Sequence, residues 1–315
     1  MRIFFTGASS FTGFWFAQTL VEQGHDVTAT FTRESAEAYP EAAHSRARVE
    51  KIAPKVQAVW TAPMGSDACL ETFRAGRPWD VVCLHGAQVG DHKRPDFPVL
   101  EALAANTHGL EALLAAAAEQ ATTPPILATG SYFEQDEAAG PPNRPAFSPY
   151  ALSKGLTWQY YRYFAARAGI RLAKFIVANP FGPWEKGGFT SFLARSWLNG
   201  ETPLVKTPDY IRDNVPVNLM AACYAWQAEQ LATGQGPDHL APSCYAGTQG
   251  DFGYRFAKEM GTRLGVPCQL ETQPQTDYSE PQIRLNTDPA KTLIPSWSET
   301  NFWDELAEWY HEANR

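Results

Sequence analysis

The chain has 315 residues, of which 44% are apolar and 19% are charged, a composition that excludes a disordered or fibrous protein. Its net charge of −8 argues against a dedicated nucleic-acid-binding protein, which needs a basic face. A first motif begins within six residues of the N-terminus, which predicts no signal peptide. No apolar run approaches the ~18 residues of a membrane span, so we expect no membrane partner.

Five cysteines are scattered along the chain without a CxxC pair or a Cys/His cluster at metal-ligand spacing. An odd number of unclustered thiols is typical of a reducing compartment. The sequence therefore predicts reduced cysteines, a cytoplasmic location and no metal site.

The N-terminal segment has the pattern of a strand, a glycine loop and a helix. An apolar run over residues 2–6 leads into the loop TGASSFTG at 6–13, and an amphipathic helix is predicted over about 14–23. Gly7 suits the positive φ of a tight turn, and Gly13 lets the helix lie close to the strand. The N–H groups at the helix N-terminus form a site for a pyrophosphate. The predicted cofactor contacts are Gly7, Ser9, Ser10 (where a glycine is usual), Phe11, Thr12 and Gly13.

The end of the second strand, predicted over about residues 26–31, bears on the choice of cofactor. Folds that prefer NAD usually place an acid there to hold the adenine ribose, whereas here Phe31 is followed by Thr32 and Arg33. A hydroxyl and a guanidinium suit a 2′-phosphate. The alternative is that Arg33 is a solvated loop charge. We therefore predict contacts from Thr32 and Arg33 to NADP, with NAD as the second choice.

Strands alternate with helices over the first part of the chain. A basic segment over residues 46–55, interpreted as a solvated face, leads to a third strand near 56–60, and further strands are predicted at 125–128 and 171–178. This alternation predicts an α/β fold with a Rossmann-type doubly wound parallel sheet. After residue 178 the regularity breaks, which predicts a smaller C-terminal α/β substrate lobe. The predicted boundaries are 1–178 for the Rossmann domain, rejoined by about 208–232, and 179–207 with 233–315 for the lobe.

The fourth strand, near residues 80–84, runs into small residues that let a backbone lie against a cofactor. Gly86 and Ala87 are the predicted contacts, and His85 is interpreted as packed rather than catalytic. A long helix is predicted to begin at Asn106 and to continue to about residue 120.

Tyr150 and Lys154 are four residues apart and share one face of a helix. An ammonium within roughly 4–6 Å favours a phenolate and lowers the pKa of a tyrosine from about 10. Such a pair suits proton transfer to or from a carbonyl or alcohol oxygen while a nicotinamide carries the hydride. The spacing recurs at Tyr254 and Lys258, so by itself it is a weak signal. Tyr150 is favoured because it follows an apolar strand that ends in hydroxyl residues.

Together the motifs resemble the extended short-chain dehydrogenase/reductases of the NAD-dependent epimerase/dehydratase family. The resemblance covers nearly the whole chain, and it rests on the order and spacing of several short motifs. These are TGASSFTG at 6–13, DVVCLHGAQ at 80–88, Asn106 with Gly109, TGS at 129–131, SPYALSK at 148–154, NPFGP at 179–183, YIRD at 210–213 and DPAK at 288–291.

The resemblance implies roles for individual residues. Tyr150 and Lys154 would be the catalytic pair, with Lys154 also holding the nicotinamide ribose, and their hydroxyl partner would be Thr129, with Ser131 as the fallback. Family members commonly act on nucleotide-diphosphate sugars and are expected here to form homodimers. The implied cofactor contacts also include Asn106, Pro180 and Phe181, and the implied substrate contacts are Ser131, Asn179 and Arg212.

Three departures from the family pattern bear on the reaction. Met64 stands near the place of an adenine-binding Asp, and the region of a second diphosphate arginine reads DYSE at 277–280, with Arg284 close by but off register. Gly130 and Ser131 stand where dehydratases of the family carry an Asp followed by Glu or Lys, so no 4,6-dehydratase activity is expected. The leading hypothesis is an NADPH-dependent reductase of a nucleotide-linked keto-sugar. The alternatives are a nucleotide-sugar epimerase, a reductase of a non-nucleotide ketone or aldehyde and, least favoured, a non-catalytic NADP sensor.

Overall fold

The computed structural model describes residues 1–91, 94–140, 142–185 and 187–313. Its strands are β1 (Arg2–Thr6), β2 (Asp26–Thr30), β3 (Gln57–Val59), β4 (Val81–Leu84), β5 (Ile126–Ser131), β6 (Leu172–Val177), β7 (Asn179–Phe181), β8 (Leu204–Val205), β9 (Ile211–Pro216), β10 (His239–Leu240), β11 (Pro242–Ser243), β12 (Tyr245–Thr248), β13 (Glu271–Thr272), β14 (Ile283–Arg284) and β15 (Asp288–Pro289). Its helices are α1 (Phe11–Glu22), α2 (Ser45–Ile52), α3 (Asp67–Ala75), α4 (Val99–Thr107), α5 (Leu110–Ala118), α6 (Pro149–Ala168), α7 (Phe189–Leu198), α8 (Val217–Ala232), α9 (Gln249–Leu264), α10 (Ala290–Leu293) and α11 (Glu299–Ala313), with 3₁₀ turns at Ala42–His44 and Ala53–Lys55.

A seven-stranded parallel sheet in the order β10-β6-β5-β4-β1-β2-β3 forms the centre of the protein. The chain runs outward from β1 to β3 and then returns to the other side of β1 at β4. The strand order therefore reverses between β1 and β4, and ligands of such sheets bind beyond the carboxyl ends of the strands at this point. The predicted Rossmann-type fold is confirmed.

Helices cover both faces of the sheet, which is why β1, β2, β4, β5 and β6 are buried over almost their whole length. Phe4 points to one face and packs against Phe73 and Trp79, in the layer formed by α3, α5 and α6. Phe5 points to the other face, where the rings of Phe16 on α1 and Tyr224 on α8 stack 4.1 Å apart. The sheet is thus fixed from both sides, and its carboxyl edge can hold side chains in place.

Two predicted helix positions are wrong, each for a local reason. α1 begins at Phe11 rather than near residue 14, because the Ser10 hydroxyl caps it by accepting the Gly13 N–H (3.0 Å). The predicted helix over 106–120 is instead two helices, so Asn106 lies near the end of α4. Gly109 breaks the helix with a φ of +64°, and its backbone lies so close to Gly65 that a Cβ would overlap it.

A second lobe is built around β9, which pairs with β7, β12 and β14. Its separate core contains large aromatic side chains from α9 and α11, among them Phe252, Phe256 and Trp303. The domain boundaries remain a prediction; α8 packs beside α1, and β10 extends the central sheet. Among the helices of the described ranges, none combines the length and the apolar character that crossing a membrane requires.

Candidate active site

The glycine loop brings the backbones of β1, α1 and the segment after β4 into direct contact. Gly7 has a φ of +87°, and a Cβ at this position would lie 2.7 Å from the Cα of Gly86. A Cβ at Gly13 would overlap the carbonyl oxygen of Gly7. The conformational roles predicted for Gly7 and Gly13 are therefore confirmed. Phe11 and Thr12 open α1 here, and Gly86 and Ala87 follow β4.

His85 lies directly behind this loop. Its Nε2 is 3.0 Å from the Ser10 hydroxyl and 3.2 Å from the Thr12 hydroxyl, and its Nδ1 is 3.0 Å from the Thr129 hydroxyl. Burial, with the positive charge of Lys154 adding to it, lowers the pKa of His85 to about 3, so the ring is neutral. A neutral imidazole carries one N–H, so one ring nitrogen donates and the other accepts. The residue is packed, as predicted, but it also joins the cofactor loop to the strand that carries Thr129.

The basic segment ahead of β3, predicted to be a solvated face, is in part buried. Arg48 on α2 is only 5% exposed, and burial lowers its pKa to about 10. Its guanidinium donates to the carbonyl oxygens of Ser9 (3.3 Å) and Trp184 (2.9 Å). Trp15 on α1 donates to the carbonyl oxygen of Pro183 (3.1 Å). The loop after β7 is therefore tied to the glycine loop, a contact that no local pattern predicts.

The carboxyl end of β2 presents a hydroxyl and a guanidinium at the surface. Phe31 is buried and its ring stacks on Trp60 (4.8 Å), whereas Thr32 and Arg33 are exposed. The Thr32 N–H donates to the Tyr39 hydroxyl (3.1 Å), and the Arg33 guanidinium lies 5.6 Å from the ring centre of Tyr39. The Thr32 hydroxyl also lies 3.3 Å from the Tyr39 hydroxyl, so both predicted contacts are exposed side chains that meet Tyr39.

The predicted catalytic pair lies in the first two turns of α6. Ser148 caps this helix by accepting the Ala151 N–H (3.2 Å), so Tyr150 follows the cap closely. The Tyr150 ring meets Phe97 edge-on (5.7 Å). Lys154 is buried, and its Nζ donates to the carbonyl oxygen of Thr129 (2.7 Å). The structure thus joins Lys154 to the end of β5.

The electrostatics of this pair differ from the expectation of an acidified phenol. Burial raises the pKa of Tyr150, and the carboxylate of Glu134 acts in the same direction. Burial lowers the pKa of Lys154, while Glu134 opposes that shift and Lys174 adds to it. In this arrangement Tyr150 is held as a phenol, and the predicted lowering of its pKa by Lys154 is not seen.

The two hydroxyl candidates at the end of β5 have different surroundings. The Thr129 hydroxyl contacts His85, and the Ser131 hydroxyl accepts the Phe133 N–H (3.3 Å); both residues are 8% exposed. Thr129 is also the residue whose carbonyl oxygen holds Lys154. Thr129 therefore contacts more residues of the candidate site than Ser131 does.

Three residues with implied cofactor contacts have structural partners as well. The Asn106 side chain accepts the Gln88 N–H (2.7 Å) and donates to the Thr157 hydroxyl (3.3 Å), so it positions the segment after β4. Pro180 pairs in register with β9. Phe181 is 2% exposed and packs in the core of the second lobe, so at this position only the backbone can take the implied role.

The second lobe places two arginines side by side. Arg284 on β14 pairs in register with Arg212 on β9, although the sequence pattern puts it off register. Arg212 donates to the Glu280 carboxylate (3.0 Å) and to three backbone carbonyl oxygens nearby. Asn179, the other implied diphosphate contact, donates to the Asn214 side-chain oxygen (2.6 Å). Sequence reasoning missed the pairing because it depends on how β14 returns to β9.

Arg284 is buried but incompletely paired. Its guanidinium lies 3.4 Å from the ring centre of Phe147 and 4.5 Å from that of Phe133, and the residue is 3% exposed. Within the described part of the chain, neither terminal nitrogen has a hydrogen-bond partner. Burial lowers the pKa of Arg284 to about 10. A buried cation with unused donors calls for an anionic or polar ligand.

A sequence-family comparison decides the family. The model of the NAD dependent epimerase/dehydratase family matches residues 3–241. The chain belongs to this family. The match confirms the predicted resemblance and the prediction of an NAD(P)-dependent enzyme of the extended short-chain dehydrogenase/reductase type. No curated protein sequence matches the chain significantly.

Solved structures share the fold of this epimerase/dehydratase family member. A UDP-glucose 4-epimerase with UDP-glucose from Thermotoga maritima is 17% identical, with full coverage of both chains and a TM-score of 0.72. Pal from Bacillus thuringiensis is 16% identical (99% of this chain, 100% of the other, TM-score 0.72). A UDP-glucose 4-epimerase in complex with NAD from Thermus thermophilus is 18% identical (99% and 100%, TM-score 0.69).

The residues present in this family member fit a dinucleotide cofactor. The absence of a Cβ at Gly7 and Gly13 lets the loop turn tightly and brings the N-terminus of α1 against β1, the arrangement that holds a pyrophosphate. The second Tyr/Lys copy has no such setting: Tyr254 is 51% exposed and Lys258 is exposed on α9. The interpretation of that copy as an ordinary helix-surface pair agrees with this position.

Proposed function

We propose that this protein is an NADPH-dependent reductase of a nucleotide-linked keto-sugar. The observation that carries the proposal is the hydrogen bond from Lys154, one helical turn after Tyr150 on α6, to the Thr129 carbonyl oxygen at the carboxyl end of β5. The Thr129 hydroxyl also contacts His85, which lies behind the glycine loop. In parallel α/β sheets, the carboxyl edge is where ligands bind and chemistry takes place.

Tyr150 is the proposed proton donor. When bound, the nicotinamide supplies the hydride that goes to the carbonyl carbon. The carbonyl oxygen then needs one proton, which the Tyr150 hydroxyl donates. Burial raises the pKa of Tyr150, so near neutral pH the residue is a phenol, the form that carries the proton to be donated. Lys154, which donates to the Thr129 carbonyl oxygen and lies one helical turn after Tyr150, is the proposed group that stabilises the phenolate that remains.

The cofactor choice rests on the end of β2. Thr32 and Arg33 are exposed where a 2′-phosphate would lie, so NADP is the proposed cofactor. NAD remains the second choice, because the Thermus thermophilus structure is a complex with NAD.

The proposed substrate class rests on the paired arginines. A diphosphate offers several anionic oxygens, and Arg284 beside Arg212 offers unused guanidinium donors in the second lobe. Ser131 and Asn179 are further proposed contacts. The Thermotoga maritima structure holds UDP-glucose, which favours the same substrate class.

Replacing Arg284 by leucine tests the substrate class. We expect UDP to bind about tenfold more weakly or worse, the effect of losing a charge-assisted hydrogen bond. The fold should survive, because an apolar side chain suits a site between two phenylalanine rings. Arg255→Leu is the matched control, since this guanidinium also lies over an aromatic ring, that of Tyr245, in the same lobe. Equal UDP affinity in the wild type and Arg284→Leu would favour a non-nucleotide carbonyl substrate.

The second candidate is a nucleotide-sugar epimerase, because the Thermotoga maritima and Thermus thermophilus structures described above are both UDP-glucose 4-epimerases. The experiment that separates the two supplies a nucleotide-diphosphate 4-keto-sugar with NADPH and follows absorbance at the NADPH band. Stoichiometric loss of NADPH supports the reductase. Interconversion of sugars without net loss of cofactor supports the epimerase.

We also propose that the enzyme is a cytoplasmic homodimer. α4 and α6 pack against each other and leave Leu100 (76% exposed), Leu152 (39%) and Tyr163 (57%) on the surface. A second copy would cover this apolar face. Light scattering gives the test: the mass of two chains is expected, and Leu100→Glu with Tyr163→Glu should return the mass of one.

A further inference from the structure

A cluster of buried charges lies behind the end of β5. The Lys174 ammonium is 2.6 Å from the Glu134 carboxylate and 2.6 Å from the Glu137 carboxylate, and the side chains of Glu134 and Lys174 are 1% and 3% exposed. The other oxygen of Glu137 is 2.9 Å from His239, which is half exposed. Charges this deep persist only when they are paired, so the cluster is a defined structural unit.

Glu134 connects this cluster to the catalytic strand. One carboxylate oxygen accepts the Ser131 N–H (2.8 Å), and the Glu134 N–H donates to the Ser131 carbonyl oxygen (3.0 Å). These two bonds close a turn directly after β5. Lys154 holds the same strand at the Thr129 carbonyl oxygen (2.7 Å). Glu134, Lys154 and Lys174 line one small internal cavity between the sheet and α6.

We propose that Glu134 is a positioning residue for the Tyr150–Lys154 pair, fixing the end of β5 and balancing the two lysines that share the cavity. The proposal rests on the proposed function of that pair. Without the Glu134 carboxylate, Lys174 would keep only Glu137 of its two carboxylate partners, and Lys154 would lose the anion whose charge opposes that of Lys174. The charge of Lys154, and with it the state of Tyr150, would then change.

The titratable groups around the pair give the direction of that change. Four titratable groups surround Lys154. They are Glu134 in the turn after β5, Lys174 on β6, neutral His85 after β4 and Tyr161 on α6. The Glu134 carboxylate raises the pKa of both Tyr150 and Lys154, and Lys174 lowers that of Lys154. Removing the Glu134 charge therefore lowers both pKa values.

The effect on the pH profile follows from the sign of these shifts. Reduction needs the phenol, so the rate falls as the pH rises through the pKa of Tyr150. Oxidation needs the phenolate, so the rate of the reverse reaction rises through the same pKa. The titration limb is the part of the pH–rate profile in which the rate changes with the ionisation of Tyr150. Lowering that pKa moves the limb to lower pH for the reduction and for the reverse oxidation alike.

The experiment compares Glu134→Gln with Glu137→Gln, since each change removes one carboxylate from Lys174. In Glu134→Gln we expect the limb to move to lower pH and kcat to fall by about 10- to 10²-fold, with the KM of the substrate little changed. In Glu137→Gln we expect the wild-type limb and kcat. An unmoved limb in Glu134→Gln, or an equal movement in both variants, would overturn the proposal.

Glu134→Asp keeps the charge and shortens the reach of the side chain. We expect kcat to fall while the limb stays at the wild-type pH, because the carboxylate remains but no longer spans Ser131 and Lys174. This variant decides the matter if Glu134→Gln does not fold. A loss of Tm with unchanged kcat and limb would show a merely structural role and overturn the proposal.

The Tyr150→Phe variant separates this inference from the function it rests on. If Tyr150→Phe keeps wild-type turnover, the proposed function fails, whatever Glu134 does. If Tyr150→Phe loses turnover and Glu134→Gln keeps the wild-type limb, only the inference about Glu134 fails.

Discussion

Replacing Tyr150 by phenylalanine removes one hydroxyl at the proposed point of proton transfer. The ring keeps its edge contact with Phe97 at 5.7 Å, so packing is preserved. The free energy of unfolding should change by no more than about 0.5–1.5 kcal/mol, the net worth of one hydrogen bond. Turnover should fall about 10²- to 10⁴-fold, the usual loss for a general acid or base. That loss corresponds to about 2.7–5.4 kcal/mol in the activation barrier.

The assay is single-turnover oxidation of NADPH with a nucleotide-diphosphate keto-sugar, measured from pH 6 to pH 10. Because the pKa of Tyr150 is raised above its usual value of about 10, the alkaline limb of the wild type lies beyond this range, and Tyr150→Phe should lower the rate at every pH within it. The affinity for NADPH, measured by fluorescence, should change little.

Tyr254→Phe is the matched control, because Tyr254 has the same spacing to a lysine but is 51% exposed on α9. Its turnover should equal that of the wild type, and its stability should stay within about 0.5 kcal/mol. A loss of turnover in Tyr254→Phe together with wild-type turnover in Tyr150→Phe would refute our choice of Tyr150 as the catalytic copy.

Further predictions concern the cofactor, the reaction type and the glycine loop. NADPH should bind more tightly than NADH, and Arg33→Ala should narrow the gap by about tenfold in the ratio of the Kd values; equal Kd values in the wild type would contradict the choice of NADP. With Gly130 and Ser131 in place of an Asp followed by Glu or Lys, no 4-keto-6-deoxy product lighter by one water should appear by mass spectrometry when nucleotide-diphosphate hexoses are supplied. Gly13→Ala should weaken cofactor binding at least about tenfold, because its Cβ would overlap a carbonyl oxygen of the loop. Gly261→Ala, where a Cβ finds its nearest neighbour at 3.9 Å, should leave the cofactor Kd unchanged.

The sequence by itself determined the features that depend on local patterns. The glycine spacing from Gly7 to Gly13 predicted the loop, because the turn and the close helix approach are properties of neighbouring residues. The alternation of strands and helices predicted the parallel sheet, since the spacing of apolar residues in a helix and in a strand each follows from the local backbone geometry. The neighbourhood of Tyr150, which follows a strand ending in hydroxyl residues, favoured it over Tyr254 on the same kind of evidence.

Only the tertiary structure decided the contacts between distant segments. Arg284 is off register in the sequence but lies beside Arg212, because β14 returns to pair with β9. Arg48 sits in a basic run that reads as solvated, yet the loop after β7 folds over it and buries it. Glu134 and Lys174 are 40 residues apart and meet because β5 and β6 are neighbours in the sheet. Burial and pairing are properties of the packed chain, and a side chain's partners are set by strand order, which no local pattern of residues contains.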